Sequence, residues 1–257
     1  MFTMGVDIGS TSSKCVIVDG ESKIISQALI PVGTGTSGPQ RAVEAALEAA
    51  GLSQMQISHV IATGYGRNTF EAADERVSEL SCHAKGSFWI FPEVRTVIDI
   101  GGQDVKALSI SPEGALKQFA MNDKCAAGTG RFLDVMSRIL EMDVSELSEQ
   151  DEKADSVVPV SSTCVVFAES EVISHLSKNV PIPNLIAGIH QSAASRAANL
   201  MKRIGVENPI LMTGGVANNK GVVRSLERQL DMQVKTSPYS QFAGALGAAL
   251  IAQENHK

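Results

Sequence analysis

Aromatic residues make up only 4% of the 257-residue chain and charged residues 19%, both low shares for a globular protein. What charge there is tilts acidic, 28 Asp and Glu against 22 Lys and Arg for a net −6. No basic stripe runs along any segment, which excludes a nucleic-acid binder. Long apolar runs are missing too. The longest uncharged stretch, Thr236 to Gln253, is interrupted by Pro238, Gln241, Gly244 and Gly247, so a membrane span is excluded. The N-terminus, MFTMGVDIGS, carries no basic leader ahead of an apolar run, and a cytoplasmic protein is expected. Disulfides rarely persist there. The four cysteines, Cys15, Cys82, Cys125 and Cys164, also lack the C-x2-4-C spacing of an in-chain zinc site.

The hydrophobic share of 44% is enough to exclude intrinsic disorder, and 22 glycines announce many tight turns. A chain of this length makes one large or two small domains. Strands are expected over 3–8, 15–18, 24–32, 57–63, 94–100, 209–213 and 233–236. Helices are expected from Pro39 to Ala50 and over 78–89, 128–140, 163–176, 182–204 and 241–253. The pattern is α/β with mixed rather than all-parallel sheets.

One repeat stands out. GVDIGSTSSKCVIVDG and VIDIGGQDVKALSISPEG share a hydrophobic strand, D-I-G, a Lys seven residues after the Asp, and a second strand. Asp7, Gly9 and Lys14 match Asp99, Gly101 and Lys106, each 92 positions on. That recurrence indicates internal duplication, with subdomains over 1–93 plus 240–257 and over 94–239. Duplicated halves would flank a cleft suited to a ligand.

Glycine turns after strands let backbone N–H groups approach phosphate without an intervening Cβ. The first turn offers Gly9, the hydroxyls of Ser10, Thr11, Ser12 and Ser13, and the cation Lys14; the second offers Gly101, Gly102 and Gln103. Asp7 and Asp99 end their strands where they could hold Mg²⁺, directly or through water. A third loop, Gly214, Gly215, Val216, Ala217 and Asn218, would let adenosine lie close, with Gly128, Thr129 and Gln241 as further nucleotide contacts. Gln103 and Asp104 are the nearest polar candidates to orient a hydrolytic water. GTGTSG at Gly33 to Gly38 lacks the Lys of a phosphate-binding P-loop and reads as a surface or partner-facing turn.

The two phosphate loops and the adenosine loop, in this order, resemble the superfamily of sugar kinases, heat-shock ATPases and actin. That implies a duplicated actin-like (ribonuclease H-like) ATPase fold with two subdomains flanking a nucleotide cleft. Two cysteine segments narrow the resemblance. NDKCAAGTGRFLDV places Cys125 before one amphipathic helix, and SSTCVVFAESEVISHLS places Cys164 at the start of another. A helix N-terminus favours thiolate. Two thiolates cannot complete a four-ligand site, but a symmetric homodimer supplies four, the number a [4Fe–4S] cluster takes. Buried structural thiols remain the usual fate of such cysteines.

With DIGSTSSK, ATGYGR, SELSCHA, DIGGQD, MTGGVANN and GALGAAL also in order, nearly the whole chain resembles the ATP-dependent activators of 2-hydroxyacyl-CoA dehydratases. The resemblance implies a homodimer sharing one [4Fe–4S] cluster held by Cys125 and Cys164 of each subunit. It also implies one ATP with Mg²⁺ per subunit, a ferredoxin or flavodoxin as electron donor, and ATP-driven transfer of one electron to the dehydratase. A sugar kinase of the same fold, or a non-enzymatic nucleotide-gated module, are the alternatives. Cys15 and Cys82 are expected in the core, His83 solvated or capping, and Asp134 and Glu169 to Glu171 as surface or partner-facing charges.

Overall fold

The computed structural model describes residues 1–161 and 163–256. It divides the chain into two compact units, one of Met1–Val94, Ile110–Lys117 and Ser237–Lys257, the other of Arg95–Ser109 and Gln118–Thr236. Segment Ile110–Lys117, placed with the second half by the linear reading of the sequence, therefore belongs to the first unit, and the closing segment begins at Ser237 rather than at 240. The hairpin around Gly114 explains the reassignment. Its φ is +85°, and a Cβ there would lie 2.6 Å from the Phe88 ring, so the turn rests on a first-unit helix.

The first unit is built on β1 (Phe2–Ile8), β2 (Ser13–Asp19), β3 (Ile24–Ile30), β4 (Ile57–Thr63) and β5 (Glu75–Arg76), in the order β3-β2-β1-β4-β5. Strand β1 runs antiparallel to β2 and parallel to β4. Alternation decides which side chains meet which helices. Met4, Val6, Ile8, Cys15 and Ile17 pack with Ala42, Val43 and Ala46 of α1 (Gly38–Ala50). Val16 and Val18 face Ala245, Leu246 and Ala249 of α8 (Ala243–Asn255). Gly5 lets α8 lie directly on β1, since a Cβ there would meet the Ala245 carbonyl at 1.9 Å. Helix α2 (Glu79–Ile90) starts at a Ser78 cap whose hydroxyl accepts from Leu80 N–H.

The second unit repeats the plan. Strands β6 (Thr96–Ile100), β7 (Val105–Ile110), β8 (Leu116–Asn122), β9 (Ile210–Thr213) and β10 (Val234–Lys235) take the order β10-β9-β6-β7-β8. Replacing β1 to β5 by β6 to β10 converts one order into the other, and again the leading strand is antiparallel to the next and parallel to the fourth. The register matches as well: Asp7 pairs with Lys14, and Asp99 with Lys106. Helices α3 (Gly130–Ile139), α4 (Leu147–Asp151), α5 (Val165–Ser177), α6 (Ile182–Lys202) and α7 (Lys220–Leu230) supply this unit's core. Phe132, Leu133 and Met136 of α3 pack with Leu185, Ile186 and Ile189 of α6 against Ile98 and Ile100. Each such fully buried side chain contributes roughly 1.5–3 kcal/mol relative to exposure. Among the described residues no helix is long and apolar enough to cross a membrane.

Candidate nucleotide turns and cysteine segments

Asp7 lies at the end of β1, nearly buried, with Lys14 Nζ 3.1 Å from Oδ2. The turn beyond it closes when Gly9 N–H donates to the Ser12 carbonyl at 3.0 Å. Gly64, at φ +85°, brings the loop after β4 against Asp7, where a Cβ would sit 2.5 Å from Oδ1. The GTGTSG segment is not merely a surface turn, because Thr34 N–H donates to the Gly9 carbonyl at 2.9 Å. A Cβ on Gly33 would meet that same carbonyl at 2.4 Å, so the segment supports the first turn from below. Ser10, Thr11 and Ser12 remain in the turn, whereas Ser13 is fully buried and its hydroxyl donates to the Val32 carbonyl at 2.9 Å.

Asp99 occupies the equivalent place and is buried. Lys106 Nζ lies 3.3 Å from its Oδ2 and 2.7 Å from Asp104 Oδ2, and the Thr213 hydroxyl donates to its Oδ1 at 2.9 Å. Gly101 N–H donates to the Asp104 carbonyl at 3.0 Å, the counterpart of the Gly9 bond. Gly214, at φ +83°, approaches Ile100 and Asp99 as Gly64 approaches Ile8 and Asp7. Thr63-Gly64 and Thr213-Gly214 are thus matched elements of the two halves, a second correspondence besides the D-I-G repeat. The sequence carries the signal, ATG against MTG, but three letters separated from the main motif are easily passed over. Asp104 is held by Lys106, and Gln103 is exposed at the turn's tip.

In the third loop Gly215 and Asn218 are exposed, while Val216 and Ala217 are buried in the second unit's core. Asn219 caps α7, its Oδ1 accepting from Val222 N–H at 3.0 Å. Gln241 is half-buried in a short 3₁₀ turn of the first unit, Ser240–Phe242. Gly128 and Thr129 are buried, and the Thr129 hydroxyl donates to the Ala126 carbonyl at 2.7 Å.

Thr129, not Cys125, is the N-cap of α3, so Cys125 sits in the preceding loop, beyond the first helical turn over which the helix dipole acts. Cys164 is the N-cap of α5. Both thiols are half-buried. They belong to neighbouring segments, because the Nη2 of Arg196 reaches Cys125 Sγ at 3.9 Å and the Thr163 carbonyl at 2.6 Å. Among the described residues no group of three or more His, Cys, Asp or Glu is arranged to hold a metal. Ser162, within the second cysteine segment, lies outside the described residues.

Cys15 and Cys82 are buried, as expected. Burial pushes the Cys82 thiol up to about 12, with the neighbouring Asp7 charge adding to it, and raises Cys15 further by desolvation alone. Both stay protonated at neutral pH and make poor metal ligands. His83 is not solvated. It is buried, and a methyl on Gly244 would meet its Nε2 at 2.9 Å and Asp7 Oδ2 at 3.2 Å. Of the acidic residues expected at the surface, Glu171 is half-buried and accepts from Ser161 N–H at 2.6 Å, and Asp134 and Glu169 are half-buried.

Two five-stranded sheets of the same order, each carrying an Asp–Lys turn, define an actin-like ATPase fold. The chain belongs to the BadF/BadG/BcrA/BcrD ATPase family, whose pattern it matches over residues 4–252. It is 54% identical over 254 residues to the activator of lactoyl-CoA dehydratase of Anaerotignum propionicum, covering 99% of this chain and 98% of that one. It is also 54% identical over 253 residues to the (R)-2-hydroxyglutaryl-CoA dehydratase activating ATPase of Acidaminococcus fermentans, covering 98% of this chain and 97% of the relative. The solved structure of the Clostridium difficile activator of 2-hydroxyisocaproyl-CoA dehydratase, with bound ADPNP, superposes with a TM-score of 0.97 at 52% identity. That match covers 100% of this chain and 96% of the other.

Proposed function

We infer that the protein is an ATP-dependent activator of a 2-hydroxyacyl-CoA dehydratase, an ATPase whose hydrolysis drives delivery of one electron to that partner. Three relatives at 52–54% identity carry activator names, against 16% identity for a glucokinase of like fold, which supports the activator over the kinase reading. The observation that carries it is a pair of backbone hydrogen bonds. Gly130 and Arg131 N–H, the first two of α3, donate to the Gly101 and Gly102 carbonyls at 2.9 and 2.8 Å. The second phosphate turn is thereby bonded to the helix that follows the Cys125 loop. A shift of that turn on nucleotide exchange moves α3, and α3 moves the loop.

The residues divide the work. Backbone N–H groups of the glycine turns and the hydroxyls of Ser10, Thr11 and Ser12 bind the phosphates. Lys14 and Lys106 offset phosphate charge. Asp7 and Asp99 would hold Mg²⁺, directly or through its waters, an ion that keeps much of its hydration. Gln103, exposed beside the turn, orients water in line with the γ-phosphate, and Lys106 keeps Asp104 from swinging into its place. Gly215 and Asn218 lie against adenosine.

Cys125 and Cys164 fit an iron–sulfur ligand set. They are soft donors, partly accessible, on segments that both bond Arg196, at Cys125 Sγ and at the Thr163 carbonyl, and each chain would supply half of a four-thiolate shell. A [4Fe–4S] cluster shared by two copies supplies one-electron redox chemistry when bound, replenished by a ferredoxin or flavodoxin. Anaerobically purified protein should be brown, and Cys125→Ser or Cys164→Ser should abolish the colour while leaving ATP binding unchanged. A colourless parent protein, or a variant that keeps its colour, refutes the ligand assignment.

A further inference from the structure

Between α4 and α5, described residues of the chain make a series of contacts with one stripe of α6. Asn184 receives it first: its Oδ1 accepts from Asp155 N–H at 3.1 Å, and its Nδ2 donates to Asp155 Oδ1 at 2.8 Å and Ser156 Oγ at 2.9 Å. Gly188 follows, bare because a Cβ there would meet the Val158 carbonyl at 1.7 Å. One turn on, the Ser192 hydroxyl donates to the Ser161 carbonyl at 3.1 Å, and after another turn Arg196 Nη2 donates to the Thr163 carbonyl at 2.6 Å. Asn184, Gly188, Ser192 and Arg196 are spaced by four, so they line one side of the helix. The stripe delivers Cys164 to the start of α5.

The same guanidinium nitrogen has a second arm, toward Cys125 Sγ at 3.9 Å, the outer limit of an N–H···S hydrogen bond. The loop carrying Cys125 lies on the stem of this arginine. Gly128, at φ +84°, is where it does so, and a Cβ there would meet Arg196 Cβ at 2.7 Å and Cγ at 3.1 Å. An arginine clamping a single carbonyl would be ordinary packing. Here one side chain holds both cysteine segments, and a glycine in left-handed conformation makes room for it.

We propose that Arg196 is the positioning residue of the cysteine pair, setting the spacing of Cys125 and Cys164 and placing a permanent cation and N–H donor beside a ligand sulfur. The second half of this statement rests on the cluster reading above. Hydrogen bonds to sulfur and nearby positive charge stabilise the reduced, more negative form of an iron–sulfur centre and raise its potential. The first half concerns the polypeptide alone.

Two variants and two readouts decide it. R196M keeps the stem under Gly128 and removes charge and donors; R196K keeps the charge on a shorter stem with a rotatable head. In cluster-free protein, amide hydrogen exchange over 123–129 and 159–165 should quicken about tenfold in R196M, with the rest of α6 unchanged. In reconstituted protein, a redox titration followed by electron paramagnetic resonance should show reduction about tenfold less favourable, about 59 mV more negative for one electron. R196K should recover most of the potential, because it restores the charge. Unchanged exchange and unchanged potential in R196M overturn the proposal. If R196M does not fold, R196K carries the test: it should quicken exchange at the same segments with a near-parental potential, and unchanged exchange overturns the clamp. A parent protein that assembles no cluster overturns the functional reading and the tuning half, whereas the exchange comparison still decides the clamp.

Discussion

At the scale of single residues the two Asp–Lys turns share their plan but differ in what the lysine holds. Lys14 serves Asp7 alone, while Lys106 is shared between Asp99 and Asp104. The extra acid follows Gln103 and is tied down by the lysine, which leaves the glutamine as the side chain free to meet water. Gln103→Ala is therefore expected to lower ATP turnover by roughly 10²-fold, the cost of a lost positioning group, with ATP affinity retained. Single-turnover hydrolysis beside equilibrium binding checks this, and normal turnover sinks the assignment. The matched glycines give a second test. Gly214 adopts φ +83° with ψ 176°, a region essentially closed to other residues, and its missing Cβ leaves room for the Ile100 carbonyl at 2.3 Å. Gly214→Ala should cost about 1–3 kcal/mol in backbone strain, more if the contact cannot relax. It should also weaken ATP binding by displacing the support of Asp99. Urea unfolding and nucleotide titration would read both.

At the scale of elements, a buried network ties α4, α6 and α7 together. Asp151 Oδ2 lies 2.9 Å from Arg224 Nη2 and 3.5 Å from His190 Nδ1, and Asn219 Nδ2 lies 3.3 Å from His190 Nε2. Burial alone would raise the Asp151 carboxyl, but hydrogen bonds and charge from His190 and Arg224 outweigh it and hold it below the usual range. A carboxyl depressed in the folded state adds stability above its unfolded value, near 3.9, and loses it as pH falls through the folded value. Asp151→Asn should thus destabilise by about 1–3 kcal/mol at pH 7, and the gap from the parent should shrink below pH 4. A gap independent of pH would mean the carboxylate charge contributes nothing.

This network also marks where sequence reading runs out. The D-I-G repeat, the strand at 57–63, the amphipathic helix with Phe132, Leu133 and Met136, and the core fate of Cys15 and Cys82 were all legible, since periodicity and motif are local. His83 and Glu171 lie deeper than expected, and the GTGTSG turn, exposed at Gly35 to Ser37 as expected, is also anchored at Gly33, for one reason. Each is polar or glycine-rich, hence surface-like by type, yet each is placed by residues distant in sequence: His83 packs close to Gly244, Thr34 of the turn bonds the Gly9 carbonyl, and Glu171 accepts from Ser161 N–H. The short strand β5 depends on pairing along β4 rather than on its own two residues, whereas β10 falls inside the strand expected over 233–236. Arg196 was invisible because an arginine on an Ala-rich helix looks like its solvated face.

At the scale of the whole molecule the decisive number is a count of sulfurs. Two of the four cysteines are protonated core thiols, which leaves Cys125 and Cys164 as the half-buried pair of thiols. A [4Fe–4S] centre takes four thiolates, so a cluster held this way obliges two chains to share it, and an isologous two-fold arrangement brings equivalent cysteines together. Two exposed apolar residues on the first turn of α5, Val166 and Phe167, lie beside Cys164 and would be covered by such a pairing. Reconstituted protein should carry about 2 iron atoms per chain and migrate as a dimer, and Cys164→Ser should lose iron on both chains at once rather than half of it. About 4 irons per chain in a monomer would require ligands besides Cys125 and Cys164, and would break the shared-cluster reading while leaving the ATPase assignment intact.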